Sequence, residues 1–465
     1  MNEAGAGRPN KTGSDKTGSN KADLDAQIKL AVERSHKIDD IIVSNGALKQ
    51  APELLQKHFP GQSMLIVGDQ NTMAAAGNEL MAMLSAVGID VDSFIFSDTG
   101  KLTPSITNSN LVLDVILERP MVPIVVGSGV LNDLVKHAAF KAGRPYICVA
   151  TAVSMDGYAG AGAPLSDQGF KHTIQCEPPR LIIADLDVLC AAPPPMAGWG
   201  YGDLAGKMPA GADWILADAV GVEAIDGPVW SIVQDNLRTW LGQPDAIRRA
   251  DSEAIAALFA GLTIAGIAME LHNSSRPASG SDHQIAHIWE MEHLQHDGHP
   301  VSHGGCVAIG TLSVMTLYSW LLGHDEMPID VKKLVSNRAS LDTEFAAIDS
   351  FFGTGVIAEK SKAETSAKYP DEETLHARLT LISNAWPQIR QRLQTHLIGA
   401  GEMRDMLARG GVPTKAKDIG VDQPRYKRTV LAARYIRRRY TILDFLSETG
   451  LLEKAVDDIF AAGLD

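Results

Sequence analysis

The sequence predicts an α/β amino-terminal domain built on a parallel sheet and followed by an all-helical carboxy-terminal domain. Three observations carry this. Over the first half, short apolar or β-branched runs alternate with longer helix-like segments, as in "SMLIVGD", "VDSFIFSD", "MVPIVVGSG", "PYICVATA" and "RLIIADLDVL", the pattern of βαβ units. From about Pro193 onward the strand-like runs disappear and segments such as "SEAIAALFAGLTIAGIAMELH" dominate, which predicts helices. Between the halves, "AAPPPMAGWGYGD" has three prolines and several glycines, which predict a break in helix and a connection between domains. The expected organisation is a tail over 1–24, a nucleotide-binding α/β domain over 25–195, and a helical domain over 196–465 with an insertion around 328–386.

The first 23 residues, "MNEAGAGRPNKTGSDKTGSNKAD", scatter lysines without an apolar run behind them, so they lack the core of a signal peptide. Their Gly, Ser, Asn and Lys content predicts disorder. With no run of about eighteen apolar residues, no membrane span is expected, and a cytoplasmic protein is. Across 465 residues, 56 acidic against 42 basic side chains give a net charge of −14, which argues against non-specific attraction to nucleic acid or to anionic membranes. Cys148, Cys176, Cys190 and Cys306 form no CxxC pair and read as free thiols of a reducing compartment.

In "VPIVVGSGVLNDLVKHAAF" a strand runs into Gly127-Ser128-Gly129 and then into a helix pattern. Backbone amides can approach a pyrophosphate there, and the helix amino terminus favours negative charge. A strict GxGxxG is absent, because Asn132 stands three after Gly129, and glycine in such a turn has an ordinary backbone explanation. In "VATAVSMDGYAG", Thr151, Ser154 and Asp156 follow the carboxyl end of a strand, the edge where open α/β sheets bind ligands. Their hydroxyls can reach a cofactor amide and Asp156 a substrate hydroxyl; satisfying nearby backbone amides is the plainer use of such residues. "GWGYGDLAGKMPAGADW" places Asp203 just ahead of an expected helix start, where an acid is often a cap.

Six of the fourteen histidines fall in "SDHQIAHIWEMEHLQHDGHPVSHGG". His283 and His287, four apart, share a helix face, either as a chelating pair or as one ligand with a substrate-facing neighbour. His303 precedes paired glycines and a long apolar helix, at a helix start. Three ligands and an open position are what a Lewis-acid catalyst needs. His293, His296 and His299 read as a solvated loop broken by Gly298 and Pro300. Spacing alone does not select a triad from the six. The region from Pro328 to Trp386, with "KSKAETSAKYPDEET", is expected to be an exposed helical hairpin or insertion. The basic run "RYKRTVLAARYIRRRY" reads as a solvated helix face rather than a nucleic-acid site.

Taken together and in order, "VGSGVLNDLVKHAAFKAGRPYICVATAVSMDGYAGAGAPLSDQGFKHTIQCEPPRLIIADLDVLCAAPP", "GYGDLAGK", "SRPASGSDHQIAHIWEM" and "SHGGCVAIGT" resemble the glycerol-1-phosphate dehydrogenase family. That family lies within the dehydroquinate synthase-like and metal-dependent alcohol dehydrogenase superfamily. The similarity runs from about Ser63 to about Trp320, and "MLARGGVPTKAKDIGV" and "YIRRRYTILDFLSETGLL" resemble its bacterial branch. The resemblance implies a dehydroquinate synthase-like fold with the active site in a cleft between the domains. It implies that Gly127, Ser128, Gly129, Val130 and Leu131 line the pyrophosphate of NAD(P)H. Thr151, Ala152, Val153 and Ser154 would lie along the rest of the cofactor, with Gly160 at a further contact position. Asp203, His283 and His303 would hold a divalent ion, zinc or nickel foremost and iron also accepted by such a donor set. Asp156, Asp203 and His287 would meet the substrate, His287 beside the metal rather than on it. Ser128 stands where the family usually has glycine, and Gly160 where it often has serine.

The activity implied is reversible reduction of dihydroxyacetone phosphate to sn-glycerol-1-phosphate by a homodimer. Arg276, Lys171 and Lys207 are candidates for the substrate phosphate. Beside this stand a glycerol or polyol dehydrogenase of the same superfamily, a dehydroquinate synthase-like cyclase, and a non-catalytic binding protein. The cyclases by family pattern place glutamate where Asp203 stands.

Overall fold

A computed structural model describes residues 21–97, 102–167, 170–327 and 329–463, with the side chains of 170–172 outside the description. The expected disorder of 1–20 therefore lies outside the described residues. Lys21 to Leu24, assigned to the tail from sequence, open the helix Lys21–Arg34, whose Leu24, Ile28 and Ala31 are buried.

Six strands form one parallel sheet: β1 (Asp40–Ser44), β2 (Met64–Asp69), β3 (Val91–Phe96), β4 (Val122–Gly127), β5 (Ile147–Ala150) and, after a hairpin of β6 (Gly162–Asp167) and β7 (Phe170–Gln175), β8 (Leu181–Asp185). Their order is β1-β8-β5-β4-β2-β3. The five runs expected from sequence became β2, β3, β4, β5 and β8. β4, β5 and β8 are buried along their whole length, which is why they read as continuous apolar runs instead of alternating ones. The edge strand β3 is largely half-buried. The chain runs from β2 out to β3 and then returns to β4 on the other side of β2. This reversal puts the topological switch point, where such sheets open a ligand crevice, at the carboxyl ends of β2 and β4. Gly127-Ser128-Gly129 is the turn there.

From Pro194 onward the described elements are helices, apart from a two-residue antiparallel ladder pairing Gln295–His296 with His299–Pro300. Its turn, Asp297-Gly298, has both residues at positive φ, 51° and 76°, as a type I′ hairpin requires. At the centre lie the helices Ser252–His272 and His303–Leu322. With mean hydropathies of 2.0 and 1.6 they are long and apolar enough to cross a membrane, contrary to the expectation that no such run exists. They are 89% and 78% buried within the protein itself, so their apolar surface is core on every side.

Two sequence expectations are overturned here. "PPMAGWGYGDLA" does not break: it is the helix Pro194–Ala205. Its prolines occupy the first turn, where the missing N–H has no intrahelical partner to lose. Its glycines are contact points rather than breakers, since a Cβ on Gly200 would collide with the Val153 carbonyl and one on Gly202 with that of Gly304. The 328–386 region, in turn, is no exposed hairpin. Its helices Leu341–Phe352, Val356–Lys368 and the start of Glu372–His396 bury Ile348, Ala358, Leu375, Leu379, Ile382 and Trp386 in the core that also holds Trp289 and Val314.

His396 ends the last of those helices, with Nε2 2.9 Å from the Met208 carbonyl. Burial pushes its pKa down to about 4. An imidazole that protonates more readily when unfolded stabilises the fold above pH ~6.5 and loses that contribution as pH falls toward 4, a loss of about 2 kcal/mol after discounting partial exposure. Urea midpoints measured across that window should fall less steeply for His396→Leu than for the parent, by about one proton's slope; equal slopes would show that His396 titrates normally.

Candidate active site

Three helices deliver the metal-ligand candidates. Ser281–Met291 carries His283 and His287 one turn apart. His303 is the first residue of His303–Leu322, where the Ser302 side chain caps the helix by accepting from the Gly305 amide at 3.1 Å. Asp203 lies in the last turn of Pro194–Ala205, not ahead of a helix start, and is completely buried. The ligand atoms of Asp203, His283 and His303 all fall within 4.8 Å of one another. The structure thus brings together the three residues expected to hold an ion.

The two imidazoles are aimed by carboxylates. His283 Nδ1 lies 2.6 Å from Asp282 Oδ2, and His303 Nδ1 lies 2.5 Å from Glu290 Oε1. A carboxylate can only accept, so each Nδ1 carries a proton and each Nε2 is left to offer its lone pair to an ion in place of a proton, the arrangement that supports metal-binding histidines. His283 Nε2 is 3.5 Å from Asp203 Oδ1. Burial would lower the His283 pKa, but Asp282 and Asp203 raise it to about 9. This pocket favours a cation. One carboxylate and two oriented imidazoles fit a divalent ion.

His287 is not in this triad but joins Glu290 and His303 in a second set whose ligand atoms lie within 4.8 Å of one another, with ring centroids 5.9 Å from His283 and 6.0 Å from His303. Burial first, and Arg437 among its charged neighbours, hold its pKa well below the ordinary value, so it is neutral. His287→Ala is expected to lower turnover about 100-fold with metal content unchanged; metal analysis of the dialysed variant checks it, and metal loss equal to that of a ligand variant would move His287 onto the ion.

Asp156 and Asp203 share a cation. The Asp156 amide donates to Asp203 Oδ2 at 2.9 Å, and Lys207 Nζ lies 2.6 Å from Asp156 Oδ2 and 2.5 Å from Asp203 Oδ1. Lys207 opens the next helix, Lys207–Ala219, and is fully buried. Burial works against its charge, yet the two carboxylates raise its pKa. Lys207, considered from sequence for the substrate phosphate, is thus spent on these carboxylates. Arg276 is corrected likewise. It is 1% exposed, donates to the Tyr440 and Asp213 carbonyls at 2.9 and 3.1 Å, and pairs with Glu223 at 3.2 Å. The Lys171 side chain lies outside the described residues. Sequence reasoning missed Asp282 and Glu290 as orienting groups and Lys207 as the bridging cation. The Asp203–Lys207 spacing of four, one helical turn, was the available signal.

On the sheet side, Gly127 ends β4 and Gly129 begins the helix Gly129–Lys141. Ser128 makes no capping bond to that helix, so the first-turn amides at Gly129, Val130 and Leu131 have no partner within it. The Thr151 amide donates to the Gly127 carbonyl at 3.1 Å, tying the turn to the segment after β5. Thr151, Ala152 and Val153 are buried and Ser154 is half-buried. Lys136 Nζ holds the loop beyond them through the Gly157 and Gly162 carbonyls at 2.6 and 3.1 Å. Because Gly200 packs on the Val153 carbonyl, this segment touches the helix that carries Asp203. Gly160 is buried beneath it, facing Met269.

Comparison with known proteins places this geometry. A family model described as iron-containing alcohol dehydrogenase matches residues 42–193. A glycerol-1-phosphate dehydrogenase, NAD(P)+ by its name, from Halalkalibacterium halodurans is 33% identical over 285 residues, covering 61% of this chain and 71% of its own. Its namesake from Geobacillus thermodenitrificans is 28% identical over 441 residues, covering 92% and 99%. Among solved structures, a probable glycerol dehydrogenase from Sinorhizobium meliloti superposes with a TM-score of 0.58 at 14% identity, over 91% of this chain and 97% of that one. A sulfoacetaldehyde reductase from Bifidobacterium kashiwanohense, in complex with NAD+, gives 0.52 at 14% identity, over 90% and 97%. These two share the fold.

Proposed function

The chain belongs to the glycerol-1-phosphate dehydrogenase family, and from that premise we propose that it reduces dihydroxyacetone phosphate to sn-glycerol-1-phosphate with NAD(P)H and a bound divalent metal. It is an NAD(P)-dependent oxidoreductase. The observation that carries the reading is the meeting of Asp203, His283 and His303 within 4.8 Å, beside Asp156 and His287.

Residues 25–195 hold the dinucleotide along Gly127–Leu131 and Thr151–Ser154, and 196–465 supply the metal ligands. Gly160 contributes through its backbone alone, having no side chain. Asp203, His283 and His303 would hold a divalent ion, which would supply Lewis acidity toward the substrate carbonyl, and the nicotinamide would supply the hydride. Asp156, fixed by Lys207 at 2.6 Å, accepts a hydrogen bond from the substrate's free hydroxyl and so orients the ketone. The neutral His287 presents one N–H and one lone pair. It passes its proton to the substrate oxygen as it takes one up from solvent water on its other nitrogen, a relay that needs no charged resting state. Zinc and nickel suit one carboxylate and two imidazoles, and iron is also compatible. The assembly is a cytoplasmic homodimer.

A polyol dehydrogenase is the nearest competing reading, and the substrate phosphate divides the two. The test is oxidation of NADH and of NADPH by the purified protein with dihydroxyacetone phosphate or unphosphorylated dihydroxyacetone, before and after chelation, with zinc or nickel restored. Chelator-sensitive turnover confined to the phosphorylated ketone is expected. Equal turnover of both ketones would replace this reading with the polyol one.

A further inference from the structure

A phosphorylated substrate requires a cation that neither Lys207 nor Arg276 can supply, because both are spent inside the protein. The basic run near the carboxy terminus holds another. It is not the solvated helix face its sequence predicts: the helix Gln423–Ala432 ends within it, a 3-10 turn Ala433–Ile436 follows, and Arg437 is extended at φ −147°, ψ 145°. That turn packs on Ser281–Met291, the helix carrying His283 and His287.

The next residues are sewn to the loop leading into the same helix. Arg439 donates to the Ser279 carbonyl and, at 2.7 Å, to Ser275 Oγ, while the Tyr440 carbonyl accepts from Arg276 at 2.9 Å. Arg438 is committed to Glu364, through its amide and its Nη2, each at 2.7 Å. Arg437 alone of the three makes no hydrogen bond or ion pair with another described residue. It is exposed, yet desolvation lowers its pKa against the opposing pull of Glu364. Its charge bears on His287 more strongly than those of His283 and His303 do. Lys360, from the helix Val356–Lys368, lies within electrostatic reach of Arg437 and adds positive charge near it.

We propose that Arg437 receives the substrate phosphate, its guanidinium fork making the charge-assisted contact that separates phosphorylated from unphosphorylated ketones. A planar donor pair just beyond the turn that packs on the His287 helix suits a phosphate dianion, and a side chain with no hydrogen bond or ion pair to another described residue has none to break before binding. The assignment rests on the reading of dihydroxyacetone phosphate as substrate and adds the residue that selects it.

The test compares the parent with Arg437→Ala, Arg437→Lys and the neighbouring control Arg438→Ala, using both ketones and titrating inorganic phosphate by calorimetry. Arg437→Ala is expected to raise KM for dihydroxyacetone phosphate about 30- to 100-fold. Its metal content should not change, and its slow turnover of dihydroxyacetone should fall far less than its turnover of the phosphorylated ketone. Phosphate binding should weaken in parallel, Arg437→Lys should recover part of both, and Arg438→Ala should stay within about twofold of the parent. A KM within twofold of the parent in Arg437→Ala, or an equal loss on both ketones, would overturn the assignment. A parent that does not distinguish the ketones would instead sink the functional reading. Calorimetry would then still decide Arg437 as an anion site, by loss or persistence of phosphate binding in Arg437→Ala.

Discussion

Asp203→Asn should leave a protein that no longer retains metal through dialysis and turns over at least about a thousandfold more slowly. The amide matches the carboxylate in size but removes the one anionic ligand of the triad, and an amide nitrogen offers no lone pair to an ion. It also removes a charge partner from Lys207, 2.5 Å away and wholly buried. His303→Ala should give the same metal loss by another route, removing the imidazole that Glu290 orients. His296→Ala is the contrasting case: it sits on the short ladder after the ligand helix, its ion-pair neighbour Asp297 is 3.6 Å off, and both side chains are exposed. Metal analysis and turnover of the three variants read this directly. Metal lost from His296→Ala and kept in Asp203→Asn would show that the wrong histidines and carboxylate have been grouped.

How far the site was legible follows from the range of the interactions that build it. The parallel strands announced themselves because burial on both faces demands continuous apolar runs, and the glycine turn after β4 because a strand feeding a helix needs it. His283 and His287 could be placed on one helix face by their spacing of four. Choosing Asp203 and His303 as their companions required the family resemblance, since 80 residues separate Asp203 from His283 and no local periodicity spans that distance. The short β1 was missed as a brief run whose partner β8 lies far along the chain, and the β6–β7 hairpin was missed although its two strands are neighbours in sequence. "PPMAGWGYGDLA" misled for a related reason: its glycines are explained by the backbones of Val153 and Gly304, which a local rule cannot know. The arginine run looked uniform, whereas tertiary contacts give Arg438 to Glu364 and Arg439 to the Ser275–Ser279 loop, and leave Arg437 without a hydrogen bond or ion pair to another described residue.

Lys207→Met should lower activity sharply while leaving metal bound, which separates the bridging cation from the ligands. In the parent, burial pushes the Asp203 pKa up, but Lys207 first and then His283 and His303 bring it below the ordinary carboxylate range. A neutral side chain of similar length leaves that burial opposed by the histidines and the ion alone, and leaves Asp156 and Asp203 as two carboxylates with no ammonium between them. Removing one partner from a buried ion pair costs about 3–5 kcal/mol, so the denaturation midpoint should fall sharply. The Asp156 side chain, 14% exposed, loses its anchor and turns toward solvent, so kcat/KM should drop at least about 100-fold. The sign of the pH dependence follows from the direction of the Asp203 shift. A carboxylate whose pKa is held down contributes stability that is present above its unfolded pKa and lost as pH falls through the folded one. Without Lys207 that loss begins at higher pH, and residual activity should climb with pH where the parent's is flat. Lys207→Arg should not rescue, because a guanidinium is larger than the fully enclosed ammonium and would force the two helices apart. A Lys207→Met enzyme with parental kcat/KM and an unchanged midpoint would show that the two carboxylates hold their positions without it.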